Sequence, residues 1–453
     1  MNNTIHIINL GCPKNLIDGE VMAAALVDAG FELVSSPEDA ETIIINTCTF
    51  ILPAREESID EIFSAARLKT EGRCRFLVAA GCLPQRYGKE LEHEIPEVDL
   101  FLGTGEVPRI AAHIRALRNA PETKQRSCIG RPDFLMNSSH RRLIATPPHT
   151  AYLKIAEGCS NNCSYCVIPA VRGTFRSRQM DDVLREAAIL AQQGVKEVIL
   201  TAQETTRYGR DLGMSYSLTA LLKEMALIEG IEWIRLLYTY PAHLEEELFR
   251  TVRDLEKVCS YIDIPVQHID DGILRLMNRQ GDGDLIREMI GHARAIIPGV
   301  ALRTSLIVGF PGETQAIFER LLAFVREARF DHVGVFEYSK EEGTGAANLP
   351  GHLPKSVKQR RRNIIMEAQA PISRRINESL IDTTTKIIIE EPSDVEGYDY
   401  IGRSERQAPG IDGVTYIKAR GRVIGDMVTG TITAADEYDL FAEETILSGQ
   451  NLP

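Results

Sequence analysis

The sequence predicts an α/β protein in three successive parts: an open parallel α/β domain, an incomplete parallel (β/α)6 barrel and a small antiparallel β-barrel. Two observations carry this. Short apolar runs alternate with helical patterns through two long stretches, which is the signature of parallel sheets covered by helices. Beyond about residue 377 the pattern changes to short β runs separated by glycines and turn residues, the mark of a small barrel. The 453 residues agree with about three domains of ~150 residues each.

In the first stretch the apolar runs are Ile5 to Ile8, Ile43 to Ile45 and Phe76 to Ala79, with helical patterns at Leu16 to Ala29 and Ala54 to Leu68. Cys12, Cys48 and Cys82 each follow one of these strands within a few residues. Open α/β sheets place their sites at the carboxyl edge of the strands, so three thiols far apart in sequence can converge there. One such coincidence is ordinary packing; three in register are not. Cys74, Cys128 and Cys259 lack the placement and read as plain packed or surface thiols. The span from 119 to 148 is polar, Pro-containing and reads as a linker between a domain at 3–118 and one at 149–376.

From Thr150 six further strands are expected: Tyr152 to Ile155, Val198 to Thr201, Trp233 to Leu237, Tyr261 to Ile264, Leu302 to Val308 and His332 to Phe336. Between them Asp181 to Gln193 illustrates the helices. Asp181 or Asp182 offers a cap, Val183, Leu184, Ala187, Ala188 and Ala191 form the apolar face, and Gly194 suits the C-terminal turn. Six units make an incomplete barrel, whose site lies at the carboxyl ends of the strands. The loop after the first of them carries Cys159, Cys163 and Cys166.

Three thiolates at such short intervals suit a polynuclear iron–sulfur centre, which needs four ligands; the fourth comes from afar, or one iron is left open to a small molecule. A zinc site would want a fourth Cys or His nearby, and His149 and His243 are distant in sequence. An open cluster fits better than zinc, and zinc better than unligated cysteines. Other strand-end loops, Gln203-Glu204-Thr205, Gln267-His268 and Gly309-Phe310-Pro311-Gly312-Glu313, are weak signals alone but plausible walls when they follow barrel strands. His268 reads equally as a core histidine.

Composition excludes several classes. A net charge of −13 disfavours general polyanion binding and favours basic partners. The N-terminus lacks the basic and apolar regions of a signal peptide. No apolar run approaches the ~20 residues of a membrane span. A cytoplasmic location is expected, where nine cysteines point to metal or redox chemistry over disulfides. The basic segment Lys355, Lys358, Arg360, Arg361, Arg362, Arg374, Arg375 reads as helix on either side of Pro371, packing between domains in preference to contacting nucleic acid. The expected final domain, 377–447, holds fifteen Asp and Glu against six Lys and Arg between Asn377 and Thr445, a balance of −9.

Cys159-x-x-x-Cys163-x-x-Cys166, with Tyr165 before the last Cys, resembles the radical S-adenosylmethionine (SAM) enzymes. The three parts in this order further resemble the methylthiotransferases among them. The resemblance implies two [4Fe-4S] clusters, one binding SAM on Cys159, Cys163 and Cys166 and an auxiliary one on Cys12, Cys48 and Cys82. It places Tyr165 and the Gly309 loop near the adenine, Gln267 and His268 facing the cofactor cavity, and Gln203 and Glu313 with the cofactor. The implied reaction makes a 5′-deoxyadenosyl radical from SAM and inserts a methylthio group at an unactivated C–H bond.

Within that family the motif Asn9-Leu10-Gly11-Cys12-Pro13-Lys14-Asn15, and Gly402-Arg403-Ser404 with Ala408 to Asp412, resemble the branch modifying an aspartate β-carbon of small-subunit ribosomal protein twelve. Gly410 and Glu204 depart from its usual Glu and Asp. The expectation is therefore a monomer acting on a basic ribosomal protein with an external electron donor and a sulfur donor of unspecified kind, with neither a membrane nor nucleic acid as its primary partner. The alternatives are a tRNA adenosine methylthiotransferase and a non-catalytic iron–sulfur or zinc scaffold.

Overall fold

The structure, a computed structural model, describes residues 3–120, 126–213 and 216–445. Its first sheet is wholly parallel, in the order β2-β1-β3-β4-β5-β6, from β1 (Thr4–Asn9), β2 (Glu32–Leu33), β3 (Thr42–Thr47), β4 (Phe76–Gly81), β5 (Leu100–Leu102) and β6 (Ser127–Cys128). Every residue of β3 and β4 is buried, as unbroken apolar strands covered on both faces must be. The three strands read from sequence are β1, β3 and β4, which are neighbours. Cys12 stands at the N-cap of helix Pro13–Asp28, Cys48 directly follows β3, and Cys82 opens helix Cys82–Glu94 directly after β4.

The expected linker is a packed strap. Its Ser127–Cys128 adds the sixth strand. Its Arg142 is buried between Glu20 of the first domain, at 2.6 Å, and Glu186 of the next, at 2.5 Å. Residues 121–125 of this stretch, and the expected end of the last domain at 446–447, lie outside the described residues.

The central sheet is parallel, ordered β14-β13-β12-β11-β10-β7. It consists of β7 (Thr150–Lys154), β10 (Glu197–Thr201), β11 (Trp233–Leu236), β12 (Val258–Asp263), β13 (Ala301–Val308) and β14 (His332–Glu337). A short antiparallel pair, β8 (Ala156–Glu157) with β9 (Arg176–Ser177), closes the base of the cysteine loop. The helix expected near 181 runs Met180–Gln192 with Gln179 as its N-cap and no side-chain cap. Asp182 instead accepts from the Ser138 backbone N–H at 2.8 Å and from Arg178, so strap and barrel compete for the group that sequence assigned to capping.

The basic segment forms one continuous helix, Lys355–Glu378, through Pro371. A proline inside a helix forfeits one hydrogen bond. The buried face at Arg361, Ile365, Gln369 and Ser373 offsets this: Gln369 donates to the Phe330 carbonyl at 2.6 Å and Ser373 to that of Asp331 at 2.7 Å. The segment's main contact is thus the barrel.

A closed five-stranded barrel follows, ordered β15-β16-β17-β19-β18, from β15 (Thr384–Pro392), β16 (Tyr400–Ser404), β17 (Thr415–Lys418), β18 (Met427–Ala435) and β19 (Leu440–Glu444). Four of its pairings are antiparallel; β17 and β19 run parallel. Both motif stretches noted in its sequence serve docking. Arg403 donates to Glu197 of β10, which also takes Arg235 at 2.7 Å. Asp412 accepts from the Tyr261 hydroxyl at 2.7 Å.

Burial alone would raise the Glu197 carboxyl; Arg403 and Arg235 reverse this and hold it at about 2. Its contribution to stability is therefore complete above the ordinary carboxylate range and is lost as pH falls through that range toward 2. Glu197→Gln leaves two buried guanidinium groups short of charge, a loss of about 3–5 kcal/mol. Urea unfolding followed by the fluorescence of Trp233, the sole tryptophan, should show an earlier midpoint; an unchanged midpoint refutes the clasp.

Candidate active site

The loop of Cys159, Cys163 and Cys166 is shaped by the backbone. Gly158 has φ +79°, and a Cβ there would meet the Thr174 carbonyl oxygen at 2.2 Å. Cys159 N–H donates to the Gly173 carbonyl at 3.1 Å and Cys166 N–H to that of Cys163 at 3.1 Å. Backbone N–H groups of Asn161 and Ile168 lie 3.4 Å from the sulfurs of Cys159 and Cys166. Farther out, Ser164 and Asn162 are tied to residues 276–278. Burial pushes Cys159 to about 11 and Cys166 to about 12. These thiols are neutral without metal, and metal binding must displace their protons.

The three cysteines open on a cavity of about 280 Å³ at the carboxyl end of the central strands. Tyr165, Gln203 and Gln267 line it as expected, and Phe50 and Ile51, just past Cys48, wall it from the first domain. Gln267 is held at φ +69° by backbone bonds to Ser305 and Ile307, and left-handed backbone of this kind concentrates at functional sites.

Gly309 and Glu313 do not line the cavity. Glu313 accepts from the backbone N–H groups of Gly309, at 2.6 Å, and Phe310, and pairs with Arg361 at 2.7 Å. It shapes the turn from beneath. His268 is a buried core residue whose Nδ1 accepts from Asp270 N–H, and burial lowers it to about 4.

Sequence reading missed Arg279, Asn161 and Tyr338 in this wall. Arg279 is half-buried and donates to the Tyr165 hydroxyl, at 3.3 Å, and to the Pro265 carbonyl. Asn161 is oriented by Glu204, at 2.5 Å, and its place between two cysteines was the one available signal. Asn161 Oδ1, Gln203 Oε1 and the Tyr338 hydroxyl are buried without a hydrogen-bond partner. Buried polar atoms are normally satisfied. A cavity with three thiols and unfilled acceptors fits an iron–sulfur cluster carrying a polar ligand with amino and hydroxyl donors.

Across the domain boundary Cys12, Cys48 and Cys82 form the second set. Burial, then Cys82 and Cys12, push Cys48 to about 12. Burial opposes ionisation of Cys12 too, but Lys14 and Arg172 outweigh it and hold that thiol below its ordinary value. Among the described residues no three ligands are arranged to hold a single metal ion. A cluster asks for something different, one thiolate on each of three irons.

The two sets are joined by buried charge. Lys154 bridges Asp18, at 2.5 Å, and Glu157, at 2.8 Å. Arg172 pairs with Asp18, lies 3.5 Å from Glu157, and donates to Asn15 at 3.0 Å and to Cys82 Sγ at 3.3 Å. Gln203 donates to Glu157 at 2.5 Å. A paired and hydrogen-bonded network of this kind is stable buried, and removing one member is strongly destabilising.

Gly11 takes φ +87°, and a Cβ there would meet Cys48 Cβ at 2.6 Å and Sγ at 2.9 Å. Gly11→Ala should therefore displace Cys48 and lower the iron retained after reconstitution while leaving the visible absorbance contributed by the barrel cysteines. Full iron content in that variant would show that Cys48 is not a ligand.

The chain has the parts of a radical SAM protein. The Radical SAM superfamily matches residues 153–325, a TRAM domain matches 381–444, and the uncharacterized protein family UPF0004 matches 4–103. Among solved structures it is similar to the radical S-adenosylmethionine methyltransferase TsrM from Kitasatospora setae, with a TM-score of 0.57 at 15% identity, covering 74% of this chain and 72% of that one. It is also similar to the cobalamin-dependent radical enzyme OxsB, with a TM-score of 0.50 at 10% identity, covering 80% and 56%. These likenesses concern fold.

Curated relatives narrow the class. Proteins of Syntrophus aciditrophicus (56% identical, 97% of this chain and 98% of the relative) and Geobacter sulfurreducens (50%, 97% and 98%) are named ribosomal protein uS12 methylthiotransferase RimO. One of Pelotomaculum thermopropionicum (47%, 98% and 100%) bears the same name. The chain belongs to this family of radical SAM methylthiotransferases.

Proposed function

We propose that this enzyme inserts a methylthio group at the β-carbon of an aspartate in ribosomal protein uS12, holding one [4Fe-4S] cluster on Cys159, Cys163 and Cys166 and a second on Cys12, Cys48 and Cys82. The observation that carries the reading is the meeting of the two cysteine sets at one interface, where Arg172 touches both Cys82 and the Glu157 that precedes Cys159. The chemistry supplied by the bound groups is a carbon radical from SAM on one side and a sulfur donor on the other, which an unactivated C–H bond requires.

The chain's own residues position and enclose. Glu204 fixes Asn161 in the cysteine loop, and Glu157 fixes Gln203 at the cavity wall. The unfilled oxygens of both would receive donors of the SAM amino acid or ribose. Phe50, Ile51, Phe336 and Tyr338 line the cavity with largely apolar surface, which disfavours water that would otherwise compete for a reactive intermediate. Glu341, buried between Arg86 at 2.8 Å and Arg55 at 3.5 Å, pins the barrel rim to the first domain. These contacts bring the cavity of Cys159, Cys163 and Cys166 up against the domain that carries Cys12, Cys48 and Cys82, the proximity that a transfer between them needs.

The division of labour assigns 3–118 to sulfur, the strap 119–148 to joining, 149–376 to radical generation and 377–447 to substrate. The acidic balance of the last favours a basic protein over a phosphate backbone. Anaerobically reconstituted enzyme given SAM, reductant and a sulfur source should add a methylthio mass to purified uS12. A gain on tRNA with none on uS12 overturns the substrate.

A further inference from the structure

Arg172 reaches from the barrel into the first domain and is only 4% exposed. It is the last residue of the short helix Ile168–Arg172, which begins two residues after Cys166. The end of that helix is fastened on both sides. The Thr104 hydroxyl of the first domain donates to the Val171 carbonyl at 2.8 Å, and the Gly173 carbonyl accepts the Cys159 N–H at 3.1 Å.

The guanidinium divides its contacts between its two terminal nitrogens. One pairs with Asp18 and lies 3.5 Å from Glu157. The other donates to Asn15 Oδ1 at 3.0 Å and to Cys82 Sγ at 3.3 Å. Asn15 is itself preset, because its amide nitrogen donates to the carbonyls of Leu10 at 2.8 Å, Asn46 at 3.1 Å and Thr47 at 3.3 Å, which leaves its oxygen for Arg172. A planar fork held by a carboxylate and an amide has little freedom left, so the N–H on the sulfur is aimed by Asp18 and Asn15. Among the described residues this is the one side chain that donates to a cysteine sulfur; the N–H groups at Cys159 and Cys166 belong to the backbone. Lys154 and Arg172 are matched by Asp18 and Glu157. What Arg172 brings to Cys82 is therefore a directed donor within a charge-balanced network.

We propose that Arg172 is a positioning residue of the N-terminal centre: its N–H on the Cys82 sulfur orients that ligand and raises the reduction potential of the cluster held there. The inference rests on the second-cluster assignment above and deepens it. Reduction adds an electron whose charge spreads onto the ligand sulfurs, and a hydrogen bond to one of them stabilises the more electron-rich state.

The test uses the full-length Cys159→Ala enzyme, reconstituted so that the N-terminal cysteines carry its cluster without an overlapping signal from the barrel. With arginine labelled by nitrogen-15 in the guanidinium, electron–nuclear double resonance of the reduced cluster should show a nitrogen-15 coupling. Adding Arg172→Lys should remove it, because lysine keeps the charge opposite Asp18 but has no second arm for Cys82. The midpoint potential of that variant, read by a titration followed by electron paramagnetic resonance, should fall. The expected change is about tenfold in the reduced-to-oxidised ratio at fixed potential, the scale of one hydrogen bond to a charged group, or about 59 mV for one electron. A role in packing alone would change the amount of iron bound, and neither the coupling nor the midpoint of the clusters that form.

A loaded cluster without nitrogen-15 coupling overturns the proposal, and so does an unchanged midpoint in Arg172→Lys; the second-cluster assignment would then stand. If the Cys159→Ala enzyme binds no cluster at all, that assignment falls and the proposal with it. The labelled enzyme that retains Arg172 decides even if Arg172→Lys takes up no iron.

Discussion

Cys159→Ala should abolish the reductive cleavage of SAM, with 5′-deoxyadenosine falling below detection. Cys159, Cys163 and Cys166 share one loop, and removing one leaves two thiolates for a centre that needs three to bind with a single iron open. The substitution is small in structural terms, because the loop is held by its backbone, through Cys159 N–H to the Gly173 carbonyl and through the ties of residues 162–164 to 276–278. Iron content should fall while the absorbance contributed by the N-terminal cysteines persists. Cleavage at the wild-type rate would mean that another group binds SAM.

Cys48→Ala should separate the two halves of the reaction: SAM cleavage stays measurable and methylthio product is lost. The backbone at Cys48 does not depend on its sulfur, since the Ser58 hydroxyl accepts from Cys48 N–H and donates to its carbonyl, both at 3.0 Å. The variant therefore removes a ligand while β3 and its helices stay in place. Product is assayed on uS12 by mass, and 5′-deoxyadenosine by chromatography in the same reaction. Normal product from Cys48→Ala would remove the N-terminal cysteines from the sulfur-transfer step.

The placement of both cysteine sets was legible in the sequence, for different physical reasons. Cys159, Cys163 and Cys166 are close in the chain, so spacing alone reports their convergence. Cys12, Cys48 and Cys82 are distant, but each follows an apolar strand, and parallel strands bring their carboxyl ends to one edge. What could not be read depends on partners fixed only by tertiary packing. Arg172 meets Asp18 across 154 positions and Asn15 across 157, and neither local pattern nor propensity encodes that. Glu313 was expected against the cofactor, yet a carboxylate beside glycines serves equally to hold their N–H groups, as it does here. Pro371 signalled a break that the packed face of Lys355–Glu378 overrides. The parallel pairing of β17 with β19 is likewise a matter of chain return that strand pattern does not specify.

The strap around Arg142 has a consequence for how the protein is made. Asp18 and Glu20 are committed to buried positions early in the chain, while the cations that neutralise them, Arg142, Lys154 and Arg172, arrive more than a hundred residues later. The sixth strand of the first sheet is likewise supplied by Ser127–Cys128. During synthesis the amino-terminal domain must wait, partly assembled, until the start of the barrel has left the ribosome. The surroundings of Cys82 are likewise completed only once Arg172 of the barrel has been made.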